Sequence, residues 1–304
     1  AAAPGAWALR RIAPAERERE ALRSLRARVR QQAVRNVSWA EDELVVVPAV
    51  FEIGWDTHLR ELENFTQLEQ HGPWSEFVYQ RTWENEPFFV PNYGFEGAVY
   101  LRFIVDHYDN LPAVMLFVQE DFKFSGTENC LRRDNLTYRD FHRLWVQKRQ
   151  LWTWRNRGYG AAVEQCWRDF GDIFELGGFE PRAELSVSFF CCNNFAVGRE
   201  QVRRRPLSQW KAAYAKATAP VCHEGALDLG NMSNLTLLFG GLNQSDVAFD
   251  EAGLTKHTTG GALEHLASMI YGFYPPDGPA PDLEARACED FLPSSVCPGS
   301  PCVA

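Results

Sequence analysis

Three clusters of polar side chains stand where short apolar runs give out, and their types suit ligand and metal chemistry. Gln119, Glu120 and Asp121 close the run AVMLFV. Asn92, Gly94 and Glu96 stand between FFVP and a helical pattern, and Asn193, Asn194 and Arg199 follow SFFCC. In open α/β sheets, ligands bind outside the carboxyl ends of strands, where the chain turns toward a helix. Carboxylates at such an end can hold a divalent cation, and that cation neutralises a diphosphate leaving group. A solvated turn also accounts for a Gln-Glu-Asp triplet, so its meaning rests on the elements that position it.

Those elements alternate between two periodicities. LVVVPAVF is short, β-branched and followed by Gly54, as expected of a buried first strand. EFVYQRTW and PFFVPNYG follow, with FFVP read as a strand, and then EGAVYLRFIVDHYDN has helical spacing and ends before Leu111-Pro112. AVMLFVQED is the next apolar run. This order predicts an α/β fold with a mostly parallel central sheet and flanking helices. Residues 44–50, 113–119 and 185–192 are expected as neighbouring strands, with a helix over 97–109. Further on, TYRDFHRLWVQKRQ reads as helical, AELSVSFFCCNNFAVG as a strand, residues 200–217 as a helix, and GGALEHLASMIYGF as a final amphipathic helix. The chain divides into a basic helical extension (1–43), an α/β domain (44–274) and a tail (275–304) rich in proline and cysteine. In the extension, Leu22, Leu25 and Val29 form a narrow apolar stripe, suited to docking one edge on the core or to binding a partner.

Six asparagines lie in N-x-[ST] sequons: Asn36, Asn64, Asn135, Asn231, Asn234 and Asn243. Roughly one is expected by chance, so the excess points to a secretory compartment, either the Golgi lumen or the cell exterior. Eight cysteines (Cys130, Cys166, Cys191, Cys192, Cys222, Cys288, Cys297 and Cys302) form no CxxC pair and read as up to four disulfides. The net charge of −9 argues against a nucleic-acid partner. No apolar run approaches the ~20 residues of a membrane span, and the start AAAPGAW lacks a signal-peptide core, so any targeting segment is expected before residue 1 or already removed. His107 reads as a structural hydrogen-bonder, Arg203, Arg204 and Arg205 as a solvated run or a phosphate grip, and most tryptophans as core.

FFVPNYGFEGAVYLRFIVDHYDNLPAVMLFVQED resembles the DUF3431 family, whose members carry N-x-G-R-E, a helix end Y-L-x-x-I-[VI]-x-x-Y-D-x-L-P and an acidic strand end. LVVVPAVFEIGWDTHL is similar to that family's opening strand, FAVGREQVRRRP to its later strand-to-helix motif, and GGALEHLASMIYGF to its closing helix. The family in turn resembles glycosyltransferases of the GT-A type, which implies a nucleotide-binding α/β sheet with Mn²⁺ or Mg²⁺ at an acidic strand end. Carried over by position, Asn92, Gly94 and Glu96 belong to the donor or acceptor pocket, Glu120 and Asp121 to the metal site, and Glu264 to a polar anchor on the last helix. Phe95 stands where the motif has arginine, and Pro48-Ala49-Val50 where it has a polar triplet. Phenylalanine cannot make the bidentate phosphate contact of an arginine.

Two functions follow as expectations. In the first, a metal-dependent glycosyltransferase uses a nucleotide sugar and a glycan acceptor. Asp121 and Glu120 bind the metal, Glu96 orients or deprotonates the acceptor hydroxyl, and Asn92, Gly94, Arg199 and Glu264 contact substrate. In the second, a catalytically inactive relative needs no cofactor and meets protein partners in an extracellular assembly such as a cell wall or surface filament.

Overall fold

A computed structural model describes residues 14–35, 37–40, 43–50, 74–91, 94–119, 143–145, 149–153, 161–176, 186–190, 193–219 and 251–272. Helix α1 (Pro14–Ala33) precedes strand β1 (Leu44–Val50), the short strands β2 (Trp74–Glu76) and β3 (Tyr79–Gln80), helix α2 (Phe95–His107) and strand β4 (Val114–Gln119). Strands β5 (Arg143–Trp145) and β6 (Arg149–Thr153), helix α3 (Ala161–Ile173), and strands β7 (Ser186–Phe190) and β8 (Phe195–Gly198) follow. The described chain closes with α4 (Arg199–Arg203), α5 (Leu207–Ala217) and α6 (Glu251–Ile270).

The central sheet has the order β2-β1-β4-β8-β5, with β3 beside β1 beyond the end of β2. The expected pairing of 44–50 with 113–119 is present, as is the helix: β1 and β4 run parallel from Leu44↔Val114 to Ala49↔Gln119. β2 and β3 also run parallel to β1. The sheet is nonetheless mixed, not mostly parallel, because β8 is antiparallel to β4 and β5 to β8. The run predicted as one strand through 185–192 is also divided. β7 pairs with β6 in a separate two-stranded sheet, and only residues beyond Asn193 enter the central sheet. Asn193 sits at φ 52°, a left-handed conformation that asparagine tolerates, and it turns the chain between the two sheets. Two further expectations are corrected. FFVP contributes one isolated bridge, Gln80 to Phe89, instead of a strand. Residues 143–145 and 149–150, within the run read as helical, belong to strands β5 and β6, whose pairing with β8 and β7 overrides the helical spacing. The helix expected over 200–217 is broken into α4 and α5 at Pro206, which has no N–H to continue the ladder.

Proline also shapes the amino-terminal edge. Pro48 lies inside β1, and the register places it opposite Val78, in the gap between β2 and β3. Gln32 of α1 takes up the backbone left there. Its Nε2 donates to the Val78 carbonyl at 3.1 Å and its Oε1 accepts from the Val78 N–H at 2.8 Å. The apolar stripe of α1 buries Leu25 and Val29, so this helix docks one edge on the body. Arg28 pairs with Glu76 at 2.9 Å, and Arg26 and Arg30 both reach Glu86, whose carboxyl is held down to about 2 by their hydrogen bonds.

The core lies between the sheet and helices α2, α3, α5 and α6. Tyr100 stacks on Phe117, with ring centroids 4.5 Å apart, Phe103 and Phe195 meet Phe117 edge-on, and Trp210 stacks on Tyr271. Each such fully buried ring contributes roughly 1.5–3 kcal/mol from apolar burial. Glycines permit the close helix contacts. A Cβ at Gly97 would lie 2.9 Å from Leu263, and one at Gly260 would collide with the Phe95 ring at 1.9 Å. Among the described residues, no helix is long and apolar enough to cross a membrane.

Candidate functional site

β1 and β4 are adjacent parallel strands whose connections leave in opposite directions. The chain runs from β1 to β2 on one side, and it returns through α2 to β4 on the other. That divergence is a topological switch point, and in open α/β sheets ligands bind outside the strands' carboxyl ends at such a point. The registers Ala49↔Gln119 and Val50↔Gln80 bring three strand ends together there.

Alternation along β4 turns Gln119 to the same face as Phe117, toward α2. On α2, Glu96 lies four residues before Tyr100, hence one turn above it on the same face. The two faces meet: Gln119 Nε2 donates to Glu96 Oε1 at 3.0 Å. Glu96 is only 8% exposed and lies in the first turn of α2, where the helix dipole favours a carboxylate. From the neighbouring strand, Asn194 Oδ1 accepts the Gln119 backbone N–H at 2.6 Å. Tyr100 is fully buried, and burial pushes its phenol well above the usual range, assisted by the Glu96 and Glu264 carboxylates and opposed by Arg81. Its hydroxyl therefore stays protonated at neutral pH. Tyr100 Oη, Asn193 Oδ1 and Asn194 Nδ2 are buried with no hydrogen-bond partner among the described residues.

The structure thus brings together Glu96, Gln119 and Asn194, with Asn193 next to Asn194 in the chain and Glu264 in electrostatic reach of Tyr100. Gly94 caps α2 and lies buried against Ala217, where an added Cβ would sit 3.0 Å from the carbonyl, so its role is close packing. Arg199 is not brought to the site. Its N–H donates to Ala113 O and its guanidinium to Leu111 O, at the amino end of β4, roughly 17 Å of strand away from Gln119. Asn92, Glu120 and Asp121 lie outside the described residues, as do all six sequon asparagines. Among the described residues, no three His, Cys, Asp or Glu side chains are grouped to hold a metal. Cys166 is buried and disulfide-bonded to a partner outside the described residues, and the other seven cysteines also lie outside them.

His107, expected as a structural hydrogen-bonder, packs instead among aromatic rings, its Nε2 buried with no hydrogen-bond partner among the described residues. Its ring lies 4.7 Å from both Phe77 and Phe103, and burial lowers its pKa to about 4. Asp106 beside it accepts from Tyr79 Oη at 3.0 Å and Arg102 Nε at 2.7 Å, a structural pairing. Tyr100 and Arg81 are not among the residues that the sequence singles out. The signal for Tyr100 was its i+4 spacing from Glu96; Arg81 follows directly on Gln80, at the carboxyl end of β3.

The fold and site together define an α/β protein with a mixed sheet and a buried carboxylate–amide pair at its switch point. Residues 58–156 match the model of the family described as Protein of unknown function (DUF3431), and this match supports assignment of the chain to that family. The matched span holds the Tyr-Asp-Leu-Pro helix end and β4; the opening strand and the later motifs lie outside it. No curated protein and no solved structure matches the chain.

Proposed function

We propose that this chain is a secretory-pathway or extracellular glycoprotein of GT-A-like architecture that transfers a sugar from a nucleotide-sugar donor to a glycan acceptor. The observation that carries the reading is the buried Glu96–Gln119 pair at the switch point between β1 and β4. Glu96 is the acceptor-side carboxylate: it orients the attacking hydroxyl and removes its proton, with Gln119 fixing the carboxylate's position. By the family resemblance, Asn92 and Glu264 would add polar groups beside Glu96.

Mn²⁺ or Mg²⁺ is the implied cofactor. Glu120 and Asp121 follow Gln119 in the chain and supply oxygen donors, the set that hard divalent cations take. Such an ion would neutralise the departing diphosphate. The sequons and the cysteine set support a glycosylated, disulfide-bonded protein of the Golgi lumen or the cell exterior.

One observation favours a second reading, a catalytically inactive relative serving in an extracellular assembly. Phe95 takes the position of the motif arginine at φ 48°, and its ring fills the space above Gly260. Turnover separates the two. With Mn²⁺ and a panel of UDP- and GDP-sugars, donor consumption should fall on the order of 10²–10⁴-fold in Asp121→Asn and Glu96→Gln, with folding intact. Absence of donor consumption by the unaltered chain favours the assembly reading.

A further inference from the structure

A buried hydroxyl or amide without a partner costs roughly 1–3 kcal/mol, and phenylalanine would fill the place of Tyr100 without that cost. Three such atoms belong to Tyr100 and to the two residues that precede Phe195. Tyr100 stacks on Phe117 and meets the Phe195 ring at 5.8 Å, while Asn193 and Asn194 immediately precede Phe195. The Asn194 amide is anchored on the Gln119 backbone, and Gln119 in turn on Glu96. Tyr100 Oη, Asn193 Oδ1 and Asn194 Nδ2 are each buried without a partner among the described residues, on elements that meet at the Phe117–Phe195 pair.

We infer that Tyr100, Asn193 and Asn194 form an uncharged hydrogen-bonding subsite beside Glu96 that holds the hydroxyl groups of a sugar ring. The set supplies one amide donor, one amide acceptor and one phenol able to do both, an inventory that suits vicinal hydroxyls and not a phosphate. The inference rests on the sugar-transfer reading for its substrate class, and it adds the residues that recognise the sugar separately from the diphosphate.

Tyr100→Phe removes one oxygen and keeps the ring, so it separates a ligand role from a structural one. Thermal unfolding and calorimetric titration are measured for the unaltered chain and for Tyr100→Phe. The titrants are UDP and GDP with Mn²⁺, their glucose, galactose and mannose conjugates with Mn²⁺, and the free monosaccharides and their disaccharides. The variant should unfold at the same or a higher temperature, bind bare nucleotide diphosphates within twofold of the unaltered chain, and bind a sugar conjugate at least tenfold more weakly. If nucleotides fail to bind but a free sugar binds and the variant loses tenfold, the sugar subsite stands and the nucleotide-sugar reading falls. An unfolding temperature lowered by several degrees overturns the inference, because the hydroxyl then has an internal partner. Unchanged sugar affinity in the variant, or no sugar-bearing compound bound by the unaltered chain, overturns it as well.

Discussion

Arg205 offers the sharpest test of the packing. The run Arg203-Arg204-Arg205 suggests a solvated face or a phosphate grip, yet the Arg205 guanidinium is half-buried and donates to three backbone carbonyls: Ile270 at 2.7 Å, Met269 at 3.2 Å, and Phe174. These are last-turn carbonyls of α6 and the carbonyl just past the end of α3, positions where intrahelical partners run out, although Met269 O also accepts the Gly272 N–H at 3.1 Å. The same guanidinium lies 5.2 Å from the centre of the Phe174 ring. A hydrogen bond to a charged group is worth roughly 1.5–3 kcal/mol, and a cation at a helix carboxyl end adds about 0.3–1 kcal/mol. The bonds share one side chain and do not add fully, so Arg205→Ala should cost about 3–5 kcal/mol, a large share of the ~5–15 kcal/mol of a typical domain. Arg205→Met keeps the stem and loses the donors, and should recover no more than about 1 kcal/mol of that. Arg205→Lys keeps the charge but not the planar fork, and should fall between. Urea unfolding reports these as midpoint shifts at constant slope. A loss below ~1 kcal/mol for Arg205→Ala would refute the clamp.

Three further outcomes follow. His107 has a folded pKa of about 4 against an ordinary 6.5, so the unfolded chain binds the extra proton between those values. Stability is therefore full above pH 6.5 and falls as pH drops toward 4, by on the order of 2–3 kcal/mol, and His107→Phe should flatten that part of a urea-midpoint profile. Gly260→Ala drives a methyl into the Phe95 ring and should cost about 1–3 kcal/mol in urea unfolding, relieved when combined with Phe95→Ala; additive losses would contradict the contact. Mass spectrometry of the non-reduced protein should find most of the eight cysteines paired and glycan on several sequons, Asn64 and Asn135 among them. Six or more free thiols would contradict the secretory assignment.

What the sequence disclosed follows from which interactions are local. β1, α2 and β4 were legible because their apolar periodicities are clean and Leu111-Pro112 ends the helix sharply. Strand direction was not, because a strand buried on both faces reads as the same apolar run whichever way it points. Phe195–Gly198 is such a run, and its direction is set by the turn at Asn193–Asn194 and the exit into α4. Long-range polar contacts were equally silent. Nothing local marks Gln32 as the partner of Val78, 46 residues away, or Arg205 as the cap of Ile270. Within the candidate site, Glu96, Gln119, Asn193 and Asn194 were visible as polar residues at strand and helix ends. Arg199 was misplaced because an antiparallel β8 carries it to the opposite end of the sheet.

The central claim, a nucleotide-sugar site at the carboxyl ends of β1 and β4, is tested most directly by calorimetry of the full chain with UDP- and GDP-sugars, with Mn²⁺ and then with the metal chelated. Saturable binding of at least one donor is expected, dependent on the metal and lost in Asp121→Asn, because carboxylate, cation and diphosphate neutralise one another only together. No binding of any donor in the presence of Mn²⁺, by a chain whose unfolding transition remains cooperative, would contradict it.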